Sequence, residues 1–304
     1  MPFLTLALAL LAALLAALPA SQARPVHYPR ASISTLSTTQ ISSFKPYSFY
    51  ASAGYCSAAR TLAWNCGANC QGNPSFVPTA SGGNGDTDQF WFVGYDPALD
   101  TVIVSHQGTD PEEILPLIED AEFAKESLNS TLFPEINSSI SVHSGFADAQ
   151  AKSATQVLAA VQTTMLNHST SKVMVVGHSL GAAISLLDTV YLHHQLPSAT
   201  LSFVGYGLPR VGNQAFADYV DALGVSVTHI NNKEDFVPIL PGRFLGFAHP
   251  SGEVHITDAG AWEACPGQDN PSTECIVGDV SSVFSGKEAD HDGPYDGVKM
   301  GCSS

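Results

Sequence analysis

The chain has 304 residues, of which 44% are hydrophobic, 9% aromatic and only 13% charged. That is apolar enough for a sizeable core and too sparsely charged for a disordered polypeptide. Twelve Lys and Arg stand against 28 Asp and Glu, a formal net charge of −16 at pH 7, which argues against a basic phosphate-binding surface and against nucleic acid as a partner. The same charge opposes docking on strongly anionic membranes and leaves neutral lipid or oil accessible.

Residues 3–18 are almost unbroken Leu and Ala, and Pro19-Ala20-Ser21-Gln22-Ala23 places small residues where a signal peptidase cuts. Residues 1–23 are therefore expected to be a secretory signal peptide, with 24–304 as a single domain. An uncleaved anchor is the competing reading, but the run is short of the ~20 residues of a spanning helix. The expectation is a secreted, extracellular protein without stable membrane insertion. Six cysteines follow, Cys56, Cys66, Cys70, Cys265, Cys275 and Cys302, and an even number in an exported chain favours disulfides. Cys66 and Cys70 are four apart and Cys265 and Cys275 ten apart, which leaves Cys56 with Cys302 as a tie between the two ends. Cys66-x3-Cys70 has no nearby Cys/His pair to complete a zinc site, so no metal is expected. Asn129, Asn137 and Asn167 open Asn-x-Ser/Thr sequons, candidate glycosylation sites in a secreted chain.

Residues 31–44 are Ser/Thr-rich without a core pattern; 45–60 then read as a helix carrying Cys56, and 66–81 as a Gly/Pro/Asn loop. Residues 90–95 and 101–105 are short β-rich runs around an Asp-Pro turn, a hairpin or adjacent strands. A helix over 145–167 places Phe146, Ala147, Ala154, Val157, Leu158, Val161 and Met165 on one face. Val173-Met174-Val175-Val176 is a continuous apolar run, as in a strand buried on both faces of a parallel sheet. A helix over 182–194, a strand over 201–206, a helix over 214–223 and a strand over 225–230 follow. This alternation predicts an α/β fold, a mostly parallel sheet covered by helices on both faces. Active groups in such sheets sit at the carboxyl ends of strands, here Gln107-Gly108-Thr109, Gly177-His178-Ser179 and residues 231–235.

Gly177-His178-Ser179-Leu180-Gly181 fits G-x-S-x-G between a buried strand and a helix, where two glycines permit the sharp turn that presents a serine hydroxyl. Ser179 is thus the candidate nucleophile, against the plainer reading of a helix-capping serine. It needs a base and an oriented acid, which follow it in the order acid, then His. Asp235, just past the strand at 225–230, is the candidate acid, with Glu234 as its near neighbour. Asp188, Asp218 and Asp221 fall on helical stretches and read as solvated surface. His291, in the turn-rich Asp290-His291-Asp292-Gly293-Pro294-Tyr295, is preferred as base, but His249 in Phe247-Ala248-His249-Pro250 stays open. His255 alternates with Val254 and Ile256 and reads as a structural imidazole; His178 reads as an orienting or packing residue. Oxyanion donors are expected from the N–H of Leu180, at a helix N-terminus, and from Gly108-Thr109.

With these residues in hand, residues 55–302 resemble the fungal class 3 lipase family of the α/β-hydrolase fold. The resemblance rests on Gly177-His178-Ser179-Leu180-Gly181-Ala182-Ala183, Val142-His143-Ser144-Gly145-Phe146, Tyr206-Gly207-Leu208-Pro209-Arg210-Val211-Gly212-Asn213, Asp235-Phe236-Val237-Pro238 with Leu240-Pro241, and Asp290-His291 with Gly293 and Tyr295. It implies a secreted triacylglycerol lipase or related ester hydrolase, a Ser179-His291-Asp235 triad with His291 preferred over His249, and Thr109 and Leu180 as the oxyanion hole. It also implies the Cys56–Cys302 and Cys66–Cys70 pairings; Cys265–Cys275 departs from the family and follows by elimination. Family members often carry a mobile lid after the oxyanion loop. That place is 110–125, where Ile114, Leu115, Leu117 and Ile118 interleave with acidic residues; Pro116 would kink a helix there. No cofactor is implied, and the expected state is a monomer acting on acylglycerols at an oil–water interface. A feruloyl-type or other soluble-ester esterase, a mono- or diacylglycerol-selective lipase, and a non-catalytic hydrolase-like protein are the alternatives.

Overall fold

The computed structural model describes residues 32–109, 116 and 125–302. The expected signal peptide and the lid residues Ile114, Leu115, Leu117 and Ile118 lie outside them. The main sheet contains β1 (Ser34–Thr35), β2 (Val77–Gly82), β3 (Trp91–Asp96), β4 (Thr101–His106), β7 (Lys172–His178), β8 (Thr200–Tyr206), β10 (Ser226–Asn232), β12 (Glu253–Ile256) and β13 (Trp262–Cys265). Their order across the sheet is β1-β13-β12-β10-β8-β7-β4-β3-β2. The central strands β12, β10, β8, β7 and β4 run parallel, and the edges pair antiparallel. A smaller antiparallel sheet joins β5 (Lys125–Ser127), β6 (Ser141–His143), β9 (Gly212–Asn213) and β11 (Phe247–Ala248).

The apolar runs make the central strands because successive side chains point to opposite faces and both faces are covered. Val102, Val104, Val173, Val175, Leu201 and Phe203 enter one apolar cluster, with α4 (Ser144–His168), α5 (Leu180–Gln195) and α6 (Gln214–Ala222). Ile103, Val176, Val204, Tyr206 and Ile230 enter the other, against α1 (Thr38–Ala53). On α4, Phe146, Ala154, Val157 and Val161 are fully buried, so the predicted face is the core face. Residues 180–192 of α5 are all buried, mostly apolar because sheet and α4 enclose the helix, with Asp188 the buried charged exception.

Three predicted boundaries differ. The first helix is Thr38–Ala53, not 45–60; it starts in a capping box between Ser37 and Gln40, and its first turns are exposed, so no apolar period marks them. It stops at Gly54, where a Cβ would stand 2.8 Å from the His106 carbonyl, and the chain resumes as α2 (Ala58–Leu62). The loop expected over 66–81 contains the short α3 (Ala68–Gln71) and the edge strand β2. Pro78 and a half-exposed pattern hide β2 in the sequence. Cys56 bonds Cys302, Cys66 bonds Cys70 and Cys265 bonds Cys275.

Candidate active site

Strand β7 ends at His178 and α5 begins at Leu180, so Ser179 alone makes the turn. Its φ of 58° and ψ of −129° are a strained conformation for a non-glycine residue. The flanking glycines permit it: a Cβ on Gly177 would lie 2.3 Å from the Gly181 carbonyl oxygen, and one on Gly181 2.4 Å from that of His106. Ser179 stands at the N-cap position but its side chain makes no capping hydrogen bond. Its Oγ is buried without a hydrogen-bond partner among the described residues, unlike that of a capping serine.

His291 lies just past a short helical turn, Glu288–Asp290, and is fully buried. Its Nδ1 donates to Asp235 Oδ2 at 2.8 Å, and Asp235 Oδ1 accepts the Val237 N–H at 2.9 Å. Asp235 is fully buried just beyond the end of β10. With Nδ1 committed as donor, Nε2 is the basic nitrogen, and it has no partner among the described residues. Gly207, just past β8, underlies the pair: a Cβ there would stand 2.8 Å from His291 Cε1 and 3.1 Å from Asp235 Oδ2.

His178 ties the serine turn to His291. Its Nε2 donates to the His291 carbonyl at 2.9 Å, and the two rings lie 4.4 Å apart between centroids. Burial, and then the nearby His291, push its pKa well below the ordinary range, so it is neutral. Its Nδ1 therefore accepts, and the Tyr55 hydroxyl donates to it at 2.6 Å. Tyr295 adds a second donor to the His291 carbonyl at 2.9 Å. Sequence reasoning left Tyr55 without a role; its only signal was its place before Cys56, whose disulfide to Cys302 fixes that corner.

The candidate oxyanion donors lie on neighbouring chain segments, since a Cβ on Gly181 would stand 2.7 Å from the Gln107 backbone. Leu180 opens α5, where the first N–H groups lack intrahelical partners. Gly108 must be glycine: a Cβ would meet the Tyr55 hydroxyl at 2.1 Å and the His178 carbonyl at 2.5 Å. Thr109 follows, its hydroxyl accepting from Gln89 Nε2 at 3.3 Å.

The other candidates fall elsewhere. His249 donates from Nε2 to the Pro238 carbonyl at 2.7 Å and stacks on His229, and burial pushes its pKa down to about 3. It braces the loop that carries Asp235. Both His255 nitrogens face backbone carbonyls, of Glu274 and Lys233. Glu234 pairs with Lys287. Asp188 is a correction: it is fully buried rather than solvated, and accepts from Gln150 at 2.7 Å and from His106 at 2.7 Å. A lone carboxylate on a helix reads as surface, and its partner lies 82 residues away. Asp218 and Asp221 bond Gln214, Gln268 and Ser251 in exposed surroundings.

The profile of the lipase (class 3) family matches residues 103–245. A secreted mono- and diacylglycerol lipase of Gibberella zeae is 32% identical, over 72% of this chain and 70% of the relative. The secreted mono- and diacylglycerol lipase MDL2 of Malassezia globosa is 31% identical over 66% of each chain, so the match spans about two thirds of these relatives' length. The crystal structure of a lipase from Rhizopus microsporus var. chinensis superposes with a TM-score of 0.77 at 26% identity, covering 92% of this chain and 94% of that one. The chain belongs to the fungal class 3 lipase family and is a secreted carboxylic ester hydrolase of the α/β-hydrolase fold.

Proposed function

We propose that Ser179, His291 and Asp235 hydrolyse acylglycerol esters through an acyl-enzyme. The observation that carries this reading is the buried His291–Asp235 pair, whose Nε2, like the Oγ of the strained Ser179, has no hydrogen-bond partner among the described residues. His291 Nε2 takes the Ser179 proton as Oγ attacks the ester carbonyl carbon, and returns it to the departing alcohol oxygen as the C–O bond breaks. Water then attacks the acyl-enzyme by the same route. Asp235 holds the tautomer and the cation that forms. The N–H groups of Thr109 and Leu180 receive the oxyanion. No step calls for a metal or organic cofactor.

Acylglycerols are the substrate class of both curated relatives by name. A cleft of about 500 Å³ past the Asp235 loop is read as the acyl-chain site: Ile239, Leu240, Val280 and Val283 line it beside Arg210 and Arg243, with Phe244 and Phe284 exposed at its edge. No observation favours a feruloyl ester. The chain is read as a monomer whose mature form runs from residue 24, with a lid over 110–125 and glycans on the exposed Asn129, Asn137 and Asn167.

The test is initial rate on glycerol monobutyrate and on tributyrin across its solubility limit. Ser179→Ala is expected to lose on the order of 10⁶ in kcat; a variant keeping a tenth of the activity removes Ser179 from the role. A rise in tributyrin rate across the limit is the expected mark of a working lid.

A further inference from the structure

The segment that follows Asp235 is held by residues outside the triad. From residue 238 to residue 241 every backbone carbonyl has a donor. The Pro238 carbonyl accepts from His249 Nε2 at 2.7 Å, and the Leu240 carbonyl from the Arg210 N–H at 2.8 Å. Arg210 Nη1 donates to the carbonyls of Ile239 and Pro241, the latter at 2.9 Å. Both clamping residues end on one carboxylate. Asp269 Oδ1 accepts from Arg210 Nε at 2.8 Å and lies 2.7 Å from Nη2, while Asp269 Oδ2 accepts the His249 N–H at 3.0 Å. The Arg210 and Asp269 side chains are only 2% and 9% exposed, so little water competes for these bonds.

Asp269 itself stands on a short closed loop. Cys265–Cys275 bridges the loop ends, and within it the Asn270 side chain spans from the Pro266 carbonyl to the Ser272 N–H. The link to the reaction runs through Val237, whose N–H is held by Asp235 Oδ1; the clamped carbonyls begin at the next residue. A guanidinium presents its donors in a fixed planar fork, so it sets the direction of the carbonyls as well as their distance. We propose that Asp269 is a positioning residue for the acid: through Arg210 and His249 it fixes the segment after β10, and with it the Asp235 carboxylate against His291. The third disulfide serves the same end by keeping the loop that bears Asp269 closed. The inference rests on the acyl-transfer reading of Ser179.

The test is kcat and KM on glycerol monobutyrate per active site, with sites counted by fluorophosphonate titration of Ser179 taken to completion, so that unfolded molecules drop out of the count. Arg210 also lines the acyl cleft and Asp269 does not, so Asp269 is the residue to change. Its backbone is left-handed, with φ 44°, which Asn tolerates. Asp269→Asn keeps one oxygen for Arg210 and turns an NH2 group on a neighbouring donor. It is expected to lower kcat per site about 10- to 100-fold, the scale of a displacement on the order of 1 Å, with KM nearly unchanged. Cys265→Ser with Cys275→Ser leaves the clamping side chains in place and is expected to act in the same direction by less. Asp188→Ala, which weakens the fold and leaves the clamp intact, is the control and should keep kcat per site within a few-fold. Wild-type kcat per site in Asp269→Asn, or an equal loss in Asp188→Ala, overturns the positioning role while the acyl-transfer reading stands. Should Asp269→Asn fail to fold, wild-type kcat per site in the serine double variant overturns it instead. If the wild type neither takes the phosphonate nor cleaves the ester, the acyl-transfer reading fails and takes this inference with it.

Discussion

Two buried His–Asp pairs lie near the carboxyl ends of the parallel strands. His291 meets Asp235 at 2.8 Å and His106 meets Asp188 at 2.7 Å, and all four side chains are at most 1% exposed. By distance and burial they are the same object. Their surroundings differ. Asp188 sits within α5 and gives its other oxygen to Gln150, so this pair cross-links β4, α4 and α5. Asp235 sits on a loop, and His291 keeps Nε2 without a partner among the described residues, its ring against His178 of the serine turn. A His–Asp pair can serve as a base when its second nitrogen stands beside a nucleophile; where the carboxylate also holds a third side chain, as Asp188 holds Gln150, the pair ties elements of the fold together.

The sharpest separation comes from removing each acid. Asp235→Asn is expected to lower kcat about 10⁴-fold, as in a serine-protease triad whose Asp is made Asn, with the urea midpoint nearly unchanged. Asp188→Ala is expected to do the reverse. It should cost about 3–5 kcal/mol of stability by orphaning a buried partner and leave kcat within a few-fold in the protein that remains folded. Equal kinetic losses in the two variants would erase the distinction drawn above.

Gly207→Ala probes how tightly the proposed catalytic pair is seated. A methyl group at φ 53° would press on both His291 and Asp235, and a shift of about 1 Å in such groups is worth about 10²-fold in rate. Wild-type kcat in this variant would mean that the pair has room to move.

The smallest effect concerns pH. Burial pushes His249 down to about 3 and His229 to about 4, from an ordinary 6.5. The unfolded chain therefore binds more protons than the folded one between pH 6.5 and about 3, and each residue's contribution to stability is present above 6.5 and lost as pH falls. Glu253 acts oppositely: burial raises it to about 7 from 4.5, so its contribution falls as pH rises through that window. Replacing His249 by Gln, which keeps a donor for Pro238, should flatten the acid side of the stability curve by up to about 1.4 kcal/mol per pH unit. Urea midpoints between pH 4 and 7 measure it, and an unchanged slope would show that His249 is not held neutral.

Much of the catalytic half was legible because its constraints are local. The run Val173-Met174-Val175-Val176 announced a doubly covered strand, and two glycines spaced four apart around Ser179 announced the strained turn. Position alone left His249 open against His291, because both stand on loops after the acid; only tertiary packing turns His249 toward the Pro238 carbonyl. The beginning of α1 was hidden for a different reason. Its first turns face solvent, and its one signal was the Ser37–Gln40 cap. Tyr55 and Asp188 take their roles from partners 123 and 82 residues away, a separation that no periodicity encodes.

The central claim is that His291, and not the similar His106, activates Ser179. The direct measurement is the rate at which a fluorophosphonate labels Ser179 in the wild type, His291→Ala and Asp188→Ala, with the labelled peptide identified by mass spectrometry. The account predicts wild-type labelling at Ser179, a fall of about 10³-fold or more in His291→Ala, and near wild-type labelling in folded Asp188→Ala. Labelling of His291→Ala at the wild-type rate would contradict it.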